Sequence, residues 1–410
     1  MTTRKHALRW SLLLLAVQVS GLLLQAQQTS TVDSSIYDRL AELEKQAAGK
    51  RSGEDHFMVA GLTTIGFNYN KTTITANGIK QSAKTSSFPD DAEYEFSPML
   101  LWRHGQKFLM EFEPSFSSGG QLGINWADVS YFAAPGLIIR AGWLVVPFGT
   151  YNKRLAAGWI NKLATDPPVA DLPPSTDFGI EVEGGLPLGN MKWNYDVSLT
   201  NGNQLISNGS PSDGQIQQVG TIDNNLNKMV TARLGLLPIS NSSLEVGVSG
   251  QFGSVGDAGA PDHSAYEKAF AIDLQYVKLF SPFLVNIKGQ YNNIFITSEQ
   301  FTNAADSSVY TFDNLSTSLF AQASIRPTGS SSKGLKNFEL AYRYSTSVAP
   351  SGSLWGGKTD ISEAAVLYWL NWRTVIKCAY QWNNNNSTAL GSQGVQTQSN
   401  TLFVQFSIQL

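Results

Sequence analysis

Few residues in this chain could do covalent chemistry. Its 410 residues hold 1 Cys (Cys378) and 4 His. His6 falls in a leader-like stretch, His56 adjoins a linker, and His104 lies between Arg103 and Gly105 in a turn-like sequence. Only Asp262-His263-Ser264 brings acid, base and hydroxyl together, and consecutive loop residues are poorly placed for a base to reach its nucleophile. A lone cysteine excludes a disulfide scaffold and a multi-cysteine metal site; no paired-histidine spacing and no glycine-rich phosphate loop is found. The expectation is therefore no enzyme, no metal and no cofactor, and the net charge of −3 argues against nucleic acid as a partner.

The charged residues point instead to steering of ions and polar solutes. The stretch 149–176 holds Lys153, Arg154, Lys162, Asp166 and Asp171, with the pairs Pro167–Pro168 and Pro173–Pro174 restricting its backbone. Such a loop suits one fixed shape, and it is expected to fold inward and set the narrowest point of a channel. The alternative is a loop resting on the outer rim. Arg140, Arg233, Arg343 and Lys377 fall on the polar phase of strand-like segments and complete the candidate pore residues.

The elements that must position these groups show a period of two. Trp193, Tyr195, Val197 and Leu199 alternate with Lys192, Asn194, Asp196 and Ser198; Phe338, Leu340, Tyr342 and Tyr344 alternate with Glu339, Ala341, Arg343 and Ser345. Each such strand has one apolar and one polar face. The segments run about ten residues, the length a tilted strand needs to cross hydrocarbon, and many carry aromatics near their ends. Sixteen strands are expected over 57–69, 92–102, 107–116, 122–133, 136–148, 177–187, 191–201, 227–237, 243–252, 266–279, 282–294, 314–326, 336–347, 361–371, 373–382 and 400–410. Short turns alternate with long polar loops, apart from a brief join at 117–121 and a long one at 327–335. That asymmetry marks a transmembrane antiparallel β-barrel rather than a soluble sandwich.

A barrel this large leaves a wet lumen, so the expected function is a porin passing small hydrophilic solutes or ions, with an anion preference as one possibility. The alternative is an adhesin or structural barrel working through its long loops. Acidic lumen candidates (Glu93, Glu95, Glu111, Glu113, Glu181, Glu183, Asp196, Asp273, Glu339) gather on early strands. Basic ones (Lys192, Lys288 and Arg373, besides the arginines and Lys377 above) dominate after residue 280.

At the amino terminus, Arg4, Lys5 and Arg9 precede an apolar run from Trp10 to Leu24 closed by Ala26, the layout of a secretory signal peptide over 1–26. Asp33–Ala48 reads as a short helix with a narrow stripe of Ile36, Leu40, Leu43 and Ala47, either a periplasmic coiled coil or plug, or a tail packed on the domain. Residues 27–56 thus precede a barrel over 57–410. Export plus barrel places the protein in the bacterial outer membrane, with lipid as a partner.

The stretch Arg140-Ala-Gly142-Trp-Leu-Val-Val-Pro147-Phe148-Gly149, preceded by Ala127-Asp128-Val129-Ser130-Tyr131, resembles two strands of the phosphate-selective porin O and P family. The resemblance implies an inward-folded third loop, a homotrimer, Arg140 on the wall, and Lys153 and Arg154 on the loop. The dense arginine ladder of phosphate-selective members cannot be assembled from this mixed wall, and the last residue is Leu410 rather than an aromatic. A porin of this type is carried over; phosphate is not.

Overall fold

The structure, a computed structural model, describes residues 55–88, 95–117, 122–157, 160–221, 223–332 and 334–409. The expected leader and the Asp33–Ala48 helix lie outside the described residues.

In chain order, β1 is His56–Ala76, β2 Ile79–Ser87, β3 Glu95–His104, β4 Phe108–Ser117, β5 Leu122–Ala134, β6 Leu137–Val145 and β7 Thr176–Leu188. Next come β8 Met191–Thr200, β9 Asn203–Leu205, β10 Ile216–Gln218, β11 Met229–Leu237, β12 Leu244–Ser254, β13 Tyr266–Phe280 and β14 Phe283–Ile296. The rest are β15 Phe301–Thr302, β16 Val309–Tyr310, β17 Leu315–Arg326, β18 Phe338–Ala349, β19 Gly357–Asn371, β20 Thr374–Ser387 and β21 Gln396–Gln409.

Sixteen of these strands form one closed antiparallel barrel, each paired with its neighbour and β21 returning to β1 along Leu62–Thr75. Closure removes the unpaired sheet edge that hydrocarbon does not tolerate. The remaining five strands stand in long loops. β2 folds back on the distal half of β1 through Asn77-Gly78, both at positive φ, as a two-residue hairpin turn requires. β9–β10 and β15–β16 are small hairpins.

The alternation sorts side chains as anticipated. On β18, Phe338, Leu340, Tyr342 and Tyr344 face out while Glu339, Ala341, Arg343 and Ser345 are buried inside. Exposed aromatics form two exterior girdles. Phe57, Trp102, Phe108, Phe280, Phe283, Phe338 and Trp372 lie toward the short-turn rim, and Tyr69, Phe116, Phe295, Tyr344 and Trp382 toward the long-loop rim. Between them run aliphatics such as Val197, Leu199, Val248, Ile272 and Val404, and the lone Cys378 is also exposed on this surface. An oily exterior on an edgeless barrel is a membrane-spanning surface. No helix among the described residues is long and apolar enough to cross a membrane.

At the long-loop rim, Leu205, Ile216, Val255, Phe301 and Phe312 pack into one cluster with Met229 and Ile294 of the wall, and Trp355 packs against it. The loops interlock through Trp355 Nε1 donating to the Asp213 carbonyl (2.9 Å) and Asn314 Nδ2 donating to the Gly214 carbonyl (2.7 Å).

Candidate functional site

The segment 149–176 begins where β6 ends. Gly149 turns the chain at φ +65°, and a Cβ there would strike the Gln290 side chain. That side chain is in use. Gln290 Oε1 accepts the N–H groups of Thr150 and Tyr151, each at 2.9 Å, and the Gly149 N–H donates to Ser249 Oγ at 3.0 Å. Tyr151–Leu155 makes a single π-helical turn, and Pro168–Ala170 a 3-10 turn. Tyr151, Leu155, Ala156, Val169 and Ala170 pack together on Phe320 of β17, with the Tyr151 and Phe320 rings edge to face at 5.4 Å.

The first part of the segment is bound by its cations to acidic strands. Lys153 Nζ donates to Asp196 (2.6 Å), Glu183 (2.8 Å) and Glu181. Burial alone would pull the Lys153 ammonium down, but Asp196, Glu181 and Glu183 hold it above its ordinary value, so the charge persists. Carboxylate oxygens of these three acids lie within 4.8 Å of one another, a spacing that could hold a divalent cation, but the ammonium already sits among them. Arg154 bonds Glu245 at 2.6 Å and approaches Asp196 at 3.7 Å.

The wall around them is itself paired. Arg140 grips Asp128 through two nitrogens (2.7 and 3.2 Å) and reaches Glu111 at 3.0 Å. Arg233 does the same with Asp273 (2.6 and 3.0 Å) and meets Glu245 at 3.0 Å. Gly247 leaves the room this needs, since a Cβ would come within 2.5 Å of Asp273 Oδ2.

The second part of the segment meets strands where bases dominate, and there the roles reverse: its carbonyls accept. Lys377 Nζ donates to the Asn161 (3.0 Å) and Leu163 (2.9 Å) carbonyls, Lys288 to that of Ile160 (2.7 Å), and Gln405 to that of Ala164 (3.0 Å). Glu363 accepts from the Ala164 N–H (2.7 Å), Thr165 Oγ1 (2.5 Å) and Arg343 (2.9 Å). Arg343 and Gln381 both donate to Thr165 Oγ1, at 2.8 and 2.9 Å. Lys162 stacks over the Trp369 ring at 4.4 Å and pairs with Glu339 at 3.4 Å. Desolvation pushes Lys162 below its ordinary pKa, with Glu339 opposing. Leu163 packs among Ala341, Leu367, Trp369, Val375 and Phe403.

The geometry thus gathers Lys153 and Arg154 with Arg140 and Arg233 into one charge network, and Lys162, Arg343 and Lys377 into another. Asp166 accepts from Tyr151 Oη (2.7 Å) and Asn161 Nδ2 (3.0 Å), and Asp171 is exposed. Anchors absent from the sequence expectation include Glu245, Ser249, Gln290, Glu363, Gln381 and Gln405. All of these sit on the inward phase of their strands, a signal the alternation already carried. Lys192 and Arg373 lie at the short-turn rim rather than deep in the wall, Lys192 on Ser242 (3.1 Å) and Arg373 over Trp372 (4.4 Å). Glu93 lies outside the described residues.

Beside the second part of the segment lies a cavity of about 630 Å³, bounded by Thr165, Asp166, Pro168 and Asp171 and by β1, β2, β19, β20 and β21.

No family model matches the chain, and no curated protein matches it in sequence. Its fold is similar to that of the outer membrane channel DcaP of Acinetobacter baumannii, at 11% identity and a TM-score of 0.51, covering 88% of this chain and 99% of that one. It is equally similar to an anion-selective porin from Comamonas acidovorans, at 13% identity and a TM-score of 0.51, covering 87% of this chain and 100% of that one. At such identities the likeness establishes the porin-type barrel and nothing finer.

Proposed function

We propose that the protein is an outer-membrane porin through which small hydrophilic solutes and ions diffuse passively, with the segment 149–176 narrowing the lumen. In this reading residues 1–26 are an export leader, 27–56 precede the barrel, the long loops face outward, and the working unit is a homotrimer. The observation that carries it is the set of bonds from one segment to inward-facing groups on β7, β8, β12, β14 and β18–β21. Ties to walls so far apart in the barrel support a segment that crosses its interior. The Arg140–Gly149 stretch supports kinship in architecture with the phosphate-selective family. An anion preference draws no support from the charges. Arg140, Lys153, Arg154, Arg233 and Arg343 are paired with carboxylates, and Lys288 and Lys377 serve main-chain carbonyls.

A second reading, a structural or adhesive barrel, is favoured by the interlocked loops around Phe312 and Trp355. Purified full-length protein in planar bilayers separates the two. Stepwise ion conductance supports the porin; a membrane that stays sealed after verified insertion rejects it.

A further inference from the structure

Every cation the segment 149–176 meets is engaged, so whatever selects a solute must come from the cavity beside it. Among the described residues no lysine or arginine lines that cavity. Its wall is carboxamide and hydroxyl: Asn70, Gln381 and Asn383, with Ser399 and Thr401 between them. Asp166 and Asp171 bound it from the segment, and the Phe403 ring and Pro168 supply small apolar faces. Arg343, whose guanidinium donates to the cavity-lining Thr165, is paired with Glu363 at 2.9 Å.

Carboxamides and hydroxyls both donate and accept, so they can follow the ring of hydroxyls on a sugar, while acidic groups accept from a vicinal pair. Several groups are held in place beforehand. Ser399 Oγ donates to Asn70 Oδ1 at 2.8 Å and lies 3.0 Å from Thr72 Oγ1, and Gln381 is fixed on Thr165. A volume of about 630 Å³ is within the range of small-molecule sites and has room for a disaccharide. We infer that this cavity is a subsite for neutral polyhydroxylated solutes of mono- or disaccharide size, and that it disfavours anions. The inference rests on the porin reading and names the solute class of that same lumen.

The test uses the full chain in planar bilayers with maltose as the probe and potassium chloride as the carrier. Maltose should block the ion current saturably, and the reversal potential in a salt gradient should favour potassium over chloride. Asn383→Leu with Thr401→Leu should weaken the block by about two- to tenfold for each solute hydrogen bond lost while leaving the sugar-free conductance in place. Asp171→Asn, which removes the charge of one of the two acidic groups bounding the cavity, should lower the potassium preference. A conducting channel that maltose does not block, a block untouched by the double variant, or a chloride-favouring reversal potential overturns the inference while the porin reading survives. Absence of any conductance overturns both.

Discussion

Replacing Glu363 with alanine should release the far half of segment 149–176 and raise single-channel conductance. Glu363 is fully buried and accepts three bonds from the segment, from the Ala164 N–H, the Thr165 N–H and Thr165 Oγ1, and a fourth from Arg343 of the wall, which itself donates to Thr165. Removing one partner of a buried ion pair costs about 3–5 kcal/mol, because the other charge is left without compensation. Arg343 is only 1% exposed, and its Nε and Nη1 already lack partners, so no other acceptor stands ready. If most of that cost is relieved by undocking the segment and hydrating Arg343, the docked population falls by a factor of roughly a hundred to several thousand. The assay is single-channel recording, with folding checked by resistance to heat in detergent. Larger or strongly fluctuating conductance is expected from Glu363→Ala. Glu363→Gln, which keeps an acceptor for Ala164 and Thr165, should lie between it and the wild type. A folded Glu363→Ala channel with the wild-type conductance and the wild-type noise would refute the latch.

Arg154→Glu sets a carboxylate against Glu245 and Asp196, so it should destabilise the segment by about 3 kcal/mol or more, read as a lower melting temperature in detergent, rather than merely shift ion preference. Lys153→Met leaves Glu181, Glu183 and Asp196 facing one another without their shared ammonium. The variant should melt well below the wild type at neutral pH and recover in acid, because protonation removes the mutual repulsion; thermal melts across pH check this. Gly149→Ala forces a non-glycine residue into positive φ and against Gln290, at a cost of about 1–3 kcal/mol, and should increase protease sensitivity within 149–176 while leaving the barrel intact on gels.

The barrel was legible because alternation is a local signal: residues 338–345 announce both faces of β18 without knowledge of any partner. Strand ends were less so. The expected 57–69 continues to Ala76, and a second strand follows the Asn77-Gly78 turn at 79–87, between the expected strands 57–69 and 92–102. β20 likewise runs to Ser387, five residues past the expected end, through a polar run of asparagines whose pairing is set by β19 and β21 rather than by hydrophobicity. The division of the wall into acid-rich and base-rich halves was visible in composition along the chain. Which acid meets which base was not. Lys153 reaches Asp196, and Thr165 reaches Glu363, only once strand register and the path of one proline-bearing segment are fixed together. That the cations around segment 149–176 are engaged among the described residues follows from that pairing and could not be read from sequence.

The moorings of segment 149–176 join distant parts of the chain. Its opening turn meets Asp196 and Glu245 on β8 and β12, whereas Glu363, Lys377 and Gln405 belong to the last three strands of the chain. Docking of the far half and closure of the seam between β21 and β1 therefore depend on the same carboxyl-terminal strands. Truncation near the end of the chain would thus undo two structures at once, one of them more than two hundred residues upstream.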